Sequence, residues 1–525
     1  MKALVALLVL CCSLPALEVR EVRWGFAGTV VGDRFNPLAI LVEQPGPSPF
    51  DGMVELSAGT FSRDGAPWVL PVYVAPGTTR WLRFTPWVQR HEKAFTLSWR
   101  GGSSELSQPR VAGLQTVAAG ESGMRPASGV SVLPDELFPA HPAAWDGLGI
   151  LLLDHDPAWT AGQREACAMW VRGGGELWLL RGRDGRVARP TGLDDLLANA
   201  GAGQLRPTNA DLGEARGLLP PPPEVKEPSH GDDAVQTMLR GFGSVVQANH
   251  NWVAISLVLV AFVLAVALGP WWLGRRRAAW PLVYGTVLGL VVVTTVALAL
   301  IGRRGYGEAT VTRSLAIARH GGTDRYVVTT IGSSFVTTSG DLTVAHGTGS
   351  DLYASGTLNE RVDGAISMGP KAVFVSEVPL FTSRHWLHAT MRRGPTMPAV
   401  SGGSEALRVT LPTGLTVSAG WLAKGALVAD LEREGAGLRL PLQPRWQTRS
   451  ELLQGGSNYS RMELSAMWDA CPHQAMAWCL PADATAERMI LFLSAEAPAA
   501  WAVPGLGRQE GRVLYRFDLE AEDKP

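Results

Sequence analysis

Apolar and polar residues alternate between about residues 20 and 100, which is the pattern of half-buried β-strands. The alternating runs lie at residues 38–42, 54–56, 81–84 and 95–99. Clusters rich in proline and glycine separate these runs, as at residues 44–49 and 75–77, and such clusters are typical of turns. Short strands at this spacing predict a β-sandwich over residues 18–108.

The pattern changes in the next segment. In order along the chain come an apolar run at residues 148–153, a helical repeat at 161–172, three glycines at 173–175 and a second apolar run at 176–180. A buried strand, a helix that ends at glycine and a second buried strand predict a right-handed βαβ unit. Residues 130–133 predict a neighbouring strand and residues 243–246 a last one. We therefore expect a small α/β domain over residues 109–248.

Two long runs, residues 252–273 and 281–301, contain no charged side chain. Each is long enough as a helix to cross about 30 Å of hydrocarbon. The alternative, a buried core helix, rarely extends over about twenty residues without a charge. Arg275, Arg276 and Arg277 lie between the runs and are flanked by tryptophans, as in a loop at a membrane interface. These features predict a transmembrane hairpin over residues 251–302.

Strand patterns return after the hairpin. They lie at residues 326–330, 372–375, 407–411, 489–493 and 513–519, and a helix is expected around residues 463–468. Residues 305–525 are therefore predicted to form one or two β-rich domains. The complete fold class is a multidomain α+β membrane protein with a β-sandwich, a small α/β domain, a two-helix hairpin and a C-terminal β-rich part.

The first residues have one lysine, an apolar run and Pro15 before Ala16, which indicates a secretory signal over residues 1–17. Leu14 is large for its place before a cleavage site, so an uncleaved anchor is the alternative. A lipoprotein that uses Cys11 or Cys12 is a weaker alternative, because neither cysteine follows a small residue.

Export of residues 18–250 fixes the orientation of the hairpin. The first helix then runs inward and the second runs outward, so residues 305–525 are extracytoplasmic as well. The three arginines of the loop favour a cytoplasmic loop, although Arg303 and Arg304 after the second helix weaken the asymmetry.

Composition excludes several classes of function. The chain has 525 residues, a formal net charge of -1 and a pI near 6.8, so no basic excess points to nucleic acid. The two apolar runs contain no ionisable residue, and an ion path or proton relay needs such residues inside the membrane. A transporter or channel built from this chain alone is therefore not expected.

The sequence Asp154-His155-Asp156 is the sharpest candidate for a chemical site, because it follows a predicted strand at the edge of an α/β sheet where ligands bind. A divalent metal is one interpretation. Three adjacent residues do not easily converge on one ion, and further ligands such as Asp194 or Asp195 would be needed. We expect the two aspartates to arrange the turn into the helix, His155 to be exposed, and no metal to bind.

The cysteines do not indicate a catalytic nucleophile. Cys167 lies inside the predicted helix rather than on a sharp turn between glycines, so we expect a small buried thiol. No Gly-x-Ser-x-Gly elbow is present. Cys471 and Cys479 enclose Pro472, which argues against one continuous helix there. A disulfide between them, or a metal site with His473, is left open.

Several short segments resemble a known family. They are residues 145–154, Asp156, Gln163, residues 170–171 and residues 173–180, together with 33–37, 50–52, 267–270 and 275–280. These segments are similar to bacterial membrane proteins that carry a class I glutamine-amidotransferase-like domain, an N-terminal β-sandwich and a membrane hairpin. The resemblance spans most of residues 20–302. It implies a domain outside the membrane that has generally lost catalysis.

Together these features predict a non-catalytic, membrane-anchored scaffold or binding protein of the bacterial cell envelope. We expect it in the inner membrane, as a multi-pass protein whose soluble domains are periplasmic. Its expected partners are the lipid bilayer and other envelope or membrane proteins. No catalytic, cofactor or metal site is expected. The alternative is an envelope hydrolase or transferase with a polar or metal site near Asp154–Asp156.

Overall fold

The computed structural model shows a strand-rich, multidomain α+β protein with two long apolar helices. It describes residues 17–59, 65–90, 94–120, 130–198, 201–219, 235, 238–239, 252–276, 279–306, 310–322, 324–337, 339–347, 349–356, 361–380, 382–402, 406–454, 464–480 and 489–519.

The first part of the chain consists of short strands. They are β1 (Glu18–Trp24), β2 (Thr29–Val30), β3 (Arg34–Phe35), β4 (Leu38–Glu43), β5 (Phe50–Ala58), β6 (Trp68–Val74), β7 (Thr79–Phe84), β8 (Trp87–Val88), β9 (Phe95–Trp99), β10 (Gly102–Leu106) and β11 (Arg110–Val111).

Strands and helices alternate in the second part. They are β12 (Gln115–Gly120), β13 (Ser131–Pro134), β14 (Leu148–Leu153), α1 (Ala161–Arg172), β15 (Glu176–Leu179), α2 (Asp194–Ala198), β16 (Gln204–Pro207) and α3 (Leu212–Leu218). The two apolar helices follow as α4 (Trp252–Arg275) and α5 (Trp280–Tyr306).

The third part is again built mainly from strands. They are β17 (Val311–His320), β18 (Arg325–Val336), β19 (Gly340–Val344), β20 (Leu352–Ser355), β21 (Gly364–Ser367), β22 (Val373–Val378), β23 (Thr382–Arg393), β24 (Ala399–Ser401), β25 (Arg408–Thr410), β26 (Val417–Lys424), β27 (Leu427–Asp430), β28 (Glu432–Glu434), β29 (Gly437–Arg439), β30 (Gln447–Thr448), β31 (Met489–Glu496) and β32 (Arg508–Leu519). Two helices, α6 (Arg449–Gln454) and α7 (Leu464–Cys479), lie between β30 and β31.

The N-terminal strands do not form a self-contained sandwich. A three-stranded sheet, β1-β4-β7, shares its apolar core with a seven-stranded sheet in the order β10-β9-β5-β6-β21-β22-β19. Three strands of this larger sheet come from the chain after the apolar helices. Strand β6 pairs with β21 in parallel, with Trp68 opposite Ile366 and Val69 opposite Ser367. The sandwich predicted over residues 18–108 is therefore completed by residues 340–378.

A buried hydrogen bond supports this junction. The indole nitrogen of Trp68 donates to the carbonyl oxygen of Tyr353 at 2.8 Å, across 285 positions of the chain. Beside it, the backbone nitrogen of Ala66 donates to the hydroxyl of Ser355 at 2.9 Å. Because buried polar groups need partners, the parts of the chain before and after the apolar helices depend on each other for folding.

The predicted α/β layer is a parallel five-stranded sheet in the order β13-β12-β14-β15-β16. The segment at residues 130–133 is a strand, as predicted, but its neighbour is β12 rather than β14. The last described strand is β16, and the strand predicted at residues 243–246 lies outside the described residues. Helix α1 covers this sheet with Ala166, Cys167 and Trp170, all of which are buried.

The C-terminal part contains a nine-stranded sheet in the order β20-β23-β18-β17-β32-β31-β26-β27-β30. Strand β18 is buried at every position after Arg325, because both faces of this sheet are covered. One face packs into the core shared with the sandwich strands, and the other packs against the four-stranded sheet β24-β25-β29-β28.

Helices α4 and α5 are the two apolar helices, and they contact each other. Within the described structure the apolar stretches Val253–Arg275 and Trp280–Leu300 are 0% buried, whereas a core helix would be mostly buried. The guanidinium of Arg276 lies 3.9 Å from the ring centroid of Trp272, and that of Arg275 lies 5.4 Å from Trp271. Both helices are long and apolar enough to cross a membrane.

Candidate functional site

The site predicted at the carboxyl edge of the parallel sheet lies in an open cleft. Strands β14 and β15 end side by side at this edge, and the chain that follows each strand forms one wall. The cleft has a volume of about 820 Å³. It is lined by Asp154, His155, Asp156, Gly182, Arg183, Asp184, Arg186, Val187, Ala188 and Arg189. Carboxyl edges of parallel strands are the usual place for ligands in α/β folds.

His155 is held between two carboxylates. Its Nδ1 lies 2.7 Å from Asp154 Oδ1, and its Nε2 lies 3.0 Å from Asp135 Oδ2. The hydrogen bonds to Asp135 and Asp154 raise the pKa of His155 to about 10, although partial burial opposes them. The ring is therefore an imidazolium at neutral pH, which donates two hydrogen bonds and has no lone pair to accept a proton.

This arrangement corrects the expectation that His155 is exposed. Its side chain is 26% exposed and both ring nitrogens are engaged. Sequence reasoning missed Asp135, which comes directly after β13 and also accepts a hydrogen bond from the backbone nitrogen of Ala158 at 3.0 Å. A signal was available, because residues 130–133 were expected to form a strand of this sheet and Asp135 follows that strand.

Contrary to expectation, Asp156 does not hold the turn into helix α1 but binds the loop that contains Thr191. It accepts hydrogen bonds from the backbone nitrogen of Thr191 at 2.9 Å and from its hydroxyl at 2.5 Å. The start of helix α1 is instead capped by Thr160, whose hydroxyl accepts from Gln163 N while the Gln163 side chain accepts from Thr160 N. The prediction that Asp154 and Asp156 arrange the entry to the helix was wrong.

Asp194 and Asp195 lie in the first turn of helix α2. Within the described ranges, no three side chains of His, Cys, Asp or Glu are grouped so that they could share a metal ion. The absence of metal binding at Asp154–Asp156 stays a prediction.

The second wall of the cleft is a tight hairpin that follows β15. Gly182 donates from its backbone nitrogen to Arg186 O at 2.7 Å, and Arg181 forms a β-bridge with Val187. A side chain at Gly182 would meet the carbonyl oxygen of Asp154 at 2.5 Å, so glycine is required where the two walls approach. Gly185 has a φ of +76°, which suits the turn. The hairpin presents three exposed arginines: Arg183, Arg186 and Arg189.

The cysteines that the structure describes, Cys167, Cys471 and Cys479, do not line this cleft. Cys167 is inside helix α1 and is 0% exposed, as expected, and burial raises the pKa of its thiol. Cys471 and Cys479 both belong to helix α7, which continues through Pro472. The expectation that Pro472 interrupts the helix was therefore wrong. Eight residues on one helix rise by about 12 Å, which is too far for a disulfide.

A second polar group is buried where the domains meet, and sequence reasoning missed it. His388 Nε2 lies 2.9 Å from Asp351 Oδ1, and the ring of His388 stacks on that of His346 with centroids 3.7 Å apart. His141 of the α/β layer is buried nearby, and its Nδ1 accepts from Ala143 N at 3.1 Å. Burial lowers the pKa of His346 to about 2 and that of His141 to about 3. These rings are neutral and close-packed, which favours a structural role.

Comparisons with known proteins add little. No protein-family model matches the chain, and no curated protein matches it. Among solved structures, a Paenibacillus sp. cycloisomaltooligosaccharide glucanotransferase complexed with cycloisomaltoheptaose is similar over 82% of this chain and 99% of that chain. The identity is 8% and the TM-score 0.18, so the similarity carries no argument about function.

Proposed function

We propose that the protein is a non-catalytic, membrane-anchored scaffold or binding protein of the bacterial cell envelope. The observation that carries this proposal is the sheet shared by strands from both sides of the apolar hairpin, β6 before it and β21 after it. Strands that exchange backbone hydrogen bonds must lie in the same compartment.

Membrane anchoring by α4 and α5 explains how one folded body forms from both sides of the hairpin. Two crossings return the chain to the side from which it came, so residues before Trp252 and after Tyr306 can pair. Any odd number of crossings would separate them. Combined with the export signal expected at residues 1–17, this favours a periplasmic position for the shared body and a cytoplasmic position for the short loop.

The chemistry of the cleft favours recognition over catalysis. His155 is an imidazolium that donates to two carboxylates, so it does not serve as a general base at neutral pH. Cys167 is fully buried in a helix, where neither a substrate nor a base reaches the thiol. The parallel sheet is compatible with the resemblance to an amidotransferase-like domain that has lost catalysis, and we keep that resemblance as part of the proposal.

The proposed partners are the lipid bilayer, through the exposed apolar helices, and other envelope or membrane proteins. The cleft beside Asp154–Asp156 is the proposed recognition site on the soluble side. No part of the proposal requires a cofactor or nucleic acid.

Reporter fusions test this proposal. A reporter that is active only in the periplasm is fused after Pro525 in one protein and after Arg277 in another. We expect activity after Pro525 and none after Arg277. The reverse pattern would contradict the topology, and activity at neither position would contradict export. An alkaline phosphatase fusion and a cytoplasm-active fluorescent fusion at each position give opposite signals and serve as mutual controls.

A further inference from the structure

The carboxylates and the arginines of the cleft differ in whether they have hydrogen-bond partners within the protein. Asp154 binds His155, Asp156 binds Thr191, and Asp184 accepts from the backbone nitrogen of Arg186 at 3.0 Å. Each carboxylate in the cleft therefore already has an internal donor.

The arginines of the opposite wall have no such partner. Among the residues that the structure describes, no ion pair or side-chain hydrogen bond involves the guanidinium of Arg183, Arg186 or Arg189, and all three are exposed. By contrast, Arg181 on the same hairpin is paired with Asp211 and Glu214 outside the cleft. Each unpaired guanidinium presents five N–H donors in a planar fork.

The backbone that carries these arginines is well fixed. Arg181 donates from its backbone nitrogen to Ala210 O at 3.0 Å, and Ala188 donates to Leu180 O at 2.8 Å, so backbone hydrogen bonds hold both ends of the hairpin. Within the hairpin, Gly185 N donates to Gly182 O at 3.0 Å. A fixed backbone lowers the entropy cost of binding, because only side chains need to become ordered.

We propose that this cleft binds a ligand bearing oxyanion groups, either carboxylate or phosphate, through Arg183, Arg186 and Arg189. The inference rests on the proposed recognition function and names its ligand class. The carboxylates of Asp154, Asp156 and Asp184 in the cleft, together with Asp135 behind His155, offset the charges of the three arginines and of the His155 imidazolium. Binding therefore depends on the paired N–H donors of each guanidinium rather than on a large net positive charge of the cleft. This distinguishes it from nonspecific attraction of anions to a basic surface.

The test is a calorimetric titration of the full-length protein in a non-ionic detergent. The probes are tripolyphosphate, trigalacturonate and the uncharged trisaccharide maltotriose. We expect saturable binding of tripolyphosphate or trigalacturonate and none of maltotriose. The stronger of the two anions assigns the ligand as phosphate-bearing or carboxylate-bearing. Saturable binding of neither anion, or equal binding of maltotriose, would overturn the proposal.

Three matched triple variants locate the site. R183A/R186A/R189A should weaken anion binding by at least tenfold, and R183K/R186K/R189K should also weaken it, because lysine keeps the charge but loses the planar fork. R83A/R100A/R110A removes the same charge from exposed positions elsewhere and should bind like the native protein. Equal losses in both alanine variants, or native binding by the lysine variant, would contradict the proposed site. Unchanged melting curves establish that each variant folds.

Failure here can be separated from failure of the proposed function. If no anion binds while the fusion after Pro525 remains active in the periplasm, the ligand class is wrong and the membrane-anchored function stands.

Discussion

The guanidinium of Arg34 lies over the indole ring of Trp478, 444 positions further along the chain. Its Cζ is 3.8 Å from the ring centroid, and its Nη2 donates to the carbonyl oxygen of Trp478 at 3.1 Å. Asp146 of the α/β layer lies 3.8 Å from Arg34 Nε and 2.7 Å from Arg319 Nη2 of β17. The sandwich, the α/β layer and the C-terminal sheet therefore meet at one partly buried group of charges.

The first prediction concerns this junction. Arg34→Lys keeps the charge but loses the planar contact with Trp478, so we expect the free energy of unfolding to fall by about 1–3 kcal/mol. Thermal unfolding of the detergent-solubilised protein, followed by tryptophan fluorescence, measures the change. Arg83→Lys, at an exposed position of β7, is the matched control and should have a native melting temperature. Equal melting temperatures for the two variants would show that the planar contact between Arg34 and Trp478 does not contribute to stability.

The second prediction tests the shared sheet. Val69 and Ser367 are partners in the parallel pair β6–β21, and paired Cα atoms in a sheet are within reach of a disulfide. The double variant V69C/S367C should form the cross-link in an exported protein, detected by mass spectrometry of the linked peptides. In the control L70C/S367C, the first side chain points to the opposite face, so no cross-link is expected. Equal yields from both variants would contradict the pairing.

The third prediction concerns the buried thiol. Cys167→Ser should leave any biological function close to normal, because Cys167 is 0% exposed within helix α1. The hydroxyl would cost about 1–3 kcal/mol of stability if it finds no partner. Cys167→Ala removes the polar atom and serves as the control for packing. Lost function in a serine variant that folds and inserts normally would count against a non-catalytic domain.

The fourth prediction is a loss of stability in acid. Burial lowers the pKa of His141 to about 3, well below the value of about 6.5 in an unfolded chain. Above pH 6.5 His141 is neutral in both the folded and the unfolded state. Below pH 6.5 it becomes protonated in the unfolded state but stays neutral in the folded state. At pH 5 this costs about 2 kcal/mol for such a histidine. His346, with a pKa lowered to about 2, adds a change of the same sign.

The denaturant concentration at the midpoint of unfolding, measured at pH 7 and at pH 5, reports this effect. His141→Asn keeps an acceptor for the backbone nitrogen of Ala143 but does not titrate, so its midpoint should fall less between the two values. His155 does not produce this loss, because its raised pKa means that the folded state holds the proton more tightly than the unfolded state; its stabilising contribution is complete below about pH 6.5 and is lost as the pH rises from there towards 10. A midpoint that is independent of pH in the native protein would refute the prediction.

The fifth prediction is that no metal binds stoichiometrically beside Asp154–Asp156. The full chain is the sample to use, because residues 20–248 alone would lack the strands β19, β21 and β22 of the seven-stranded sheet. Titration with zinc, calcium and manganese should give no uptake of one ion per chain. Tight uptake that is lost in D154N/D156N would defeat the prediction and favour metal-assisted hydrolysis.

The local sequence pattern predicted those strands and helices in which apolar residues recur with a clear period or form a long run. The structure contains the predicted strand at residues 148–153 and the predicted helix at 161–172, with the same bounds. It also contains the two long apolar helices, which extend a few residues beyond their predicted bounds. Whether these elements form depends on the pattern of neighbouring side chains and on the length of each apolar run. Both can be read directly from the sequence. By contrast, helix α7 continues through Pro472, a position where the local rule for proline predicted a break.

The sequence by itself determined the kinds of element, the two exposed apolar helices and the absence of a nucleophile elbow. Only the tertiary structure decided that β21 completes the sheet of β6, that Asp135 joins Asp154 around His155, and that unpaired arginines face that cleft. The reason is physical. Hydrophobic period is a property of adjacent residues, whereas strand pairing and polar contacts between distant segments depend on which surfaces meet after the chain has folded.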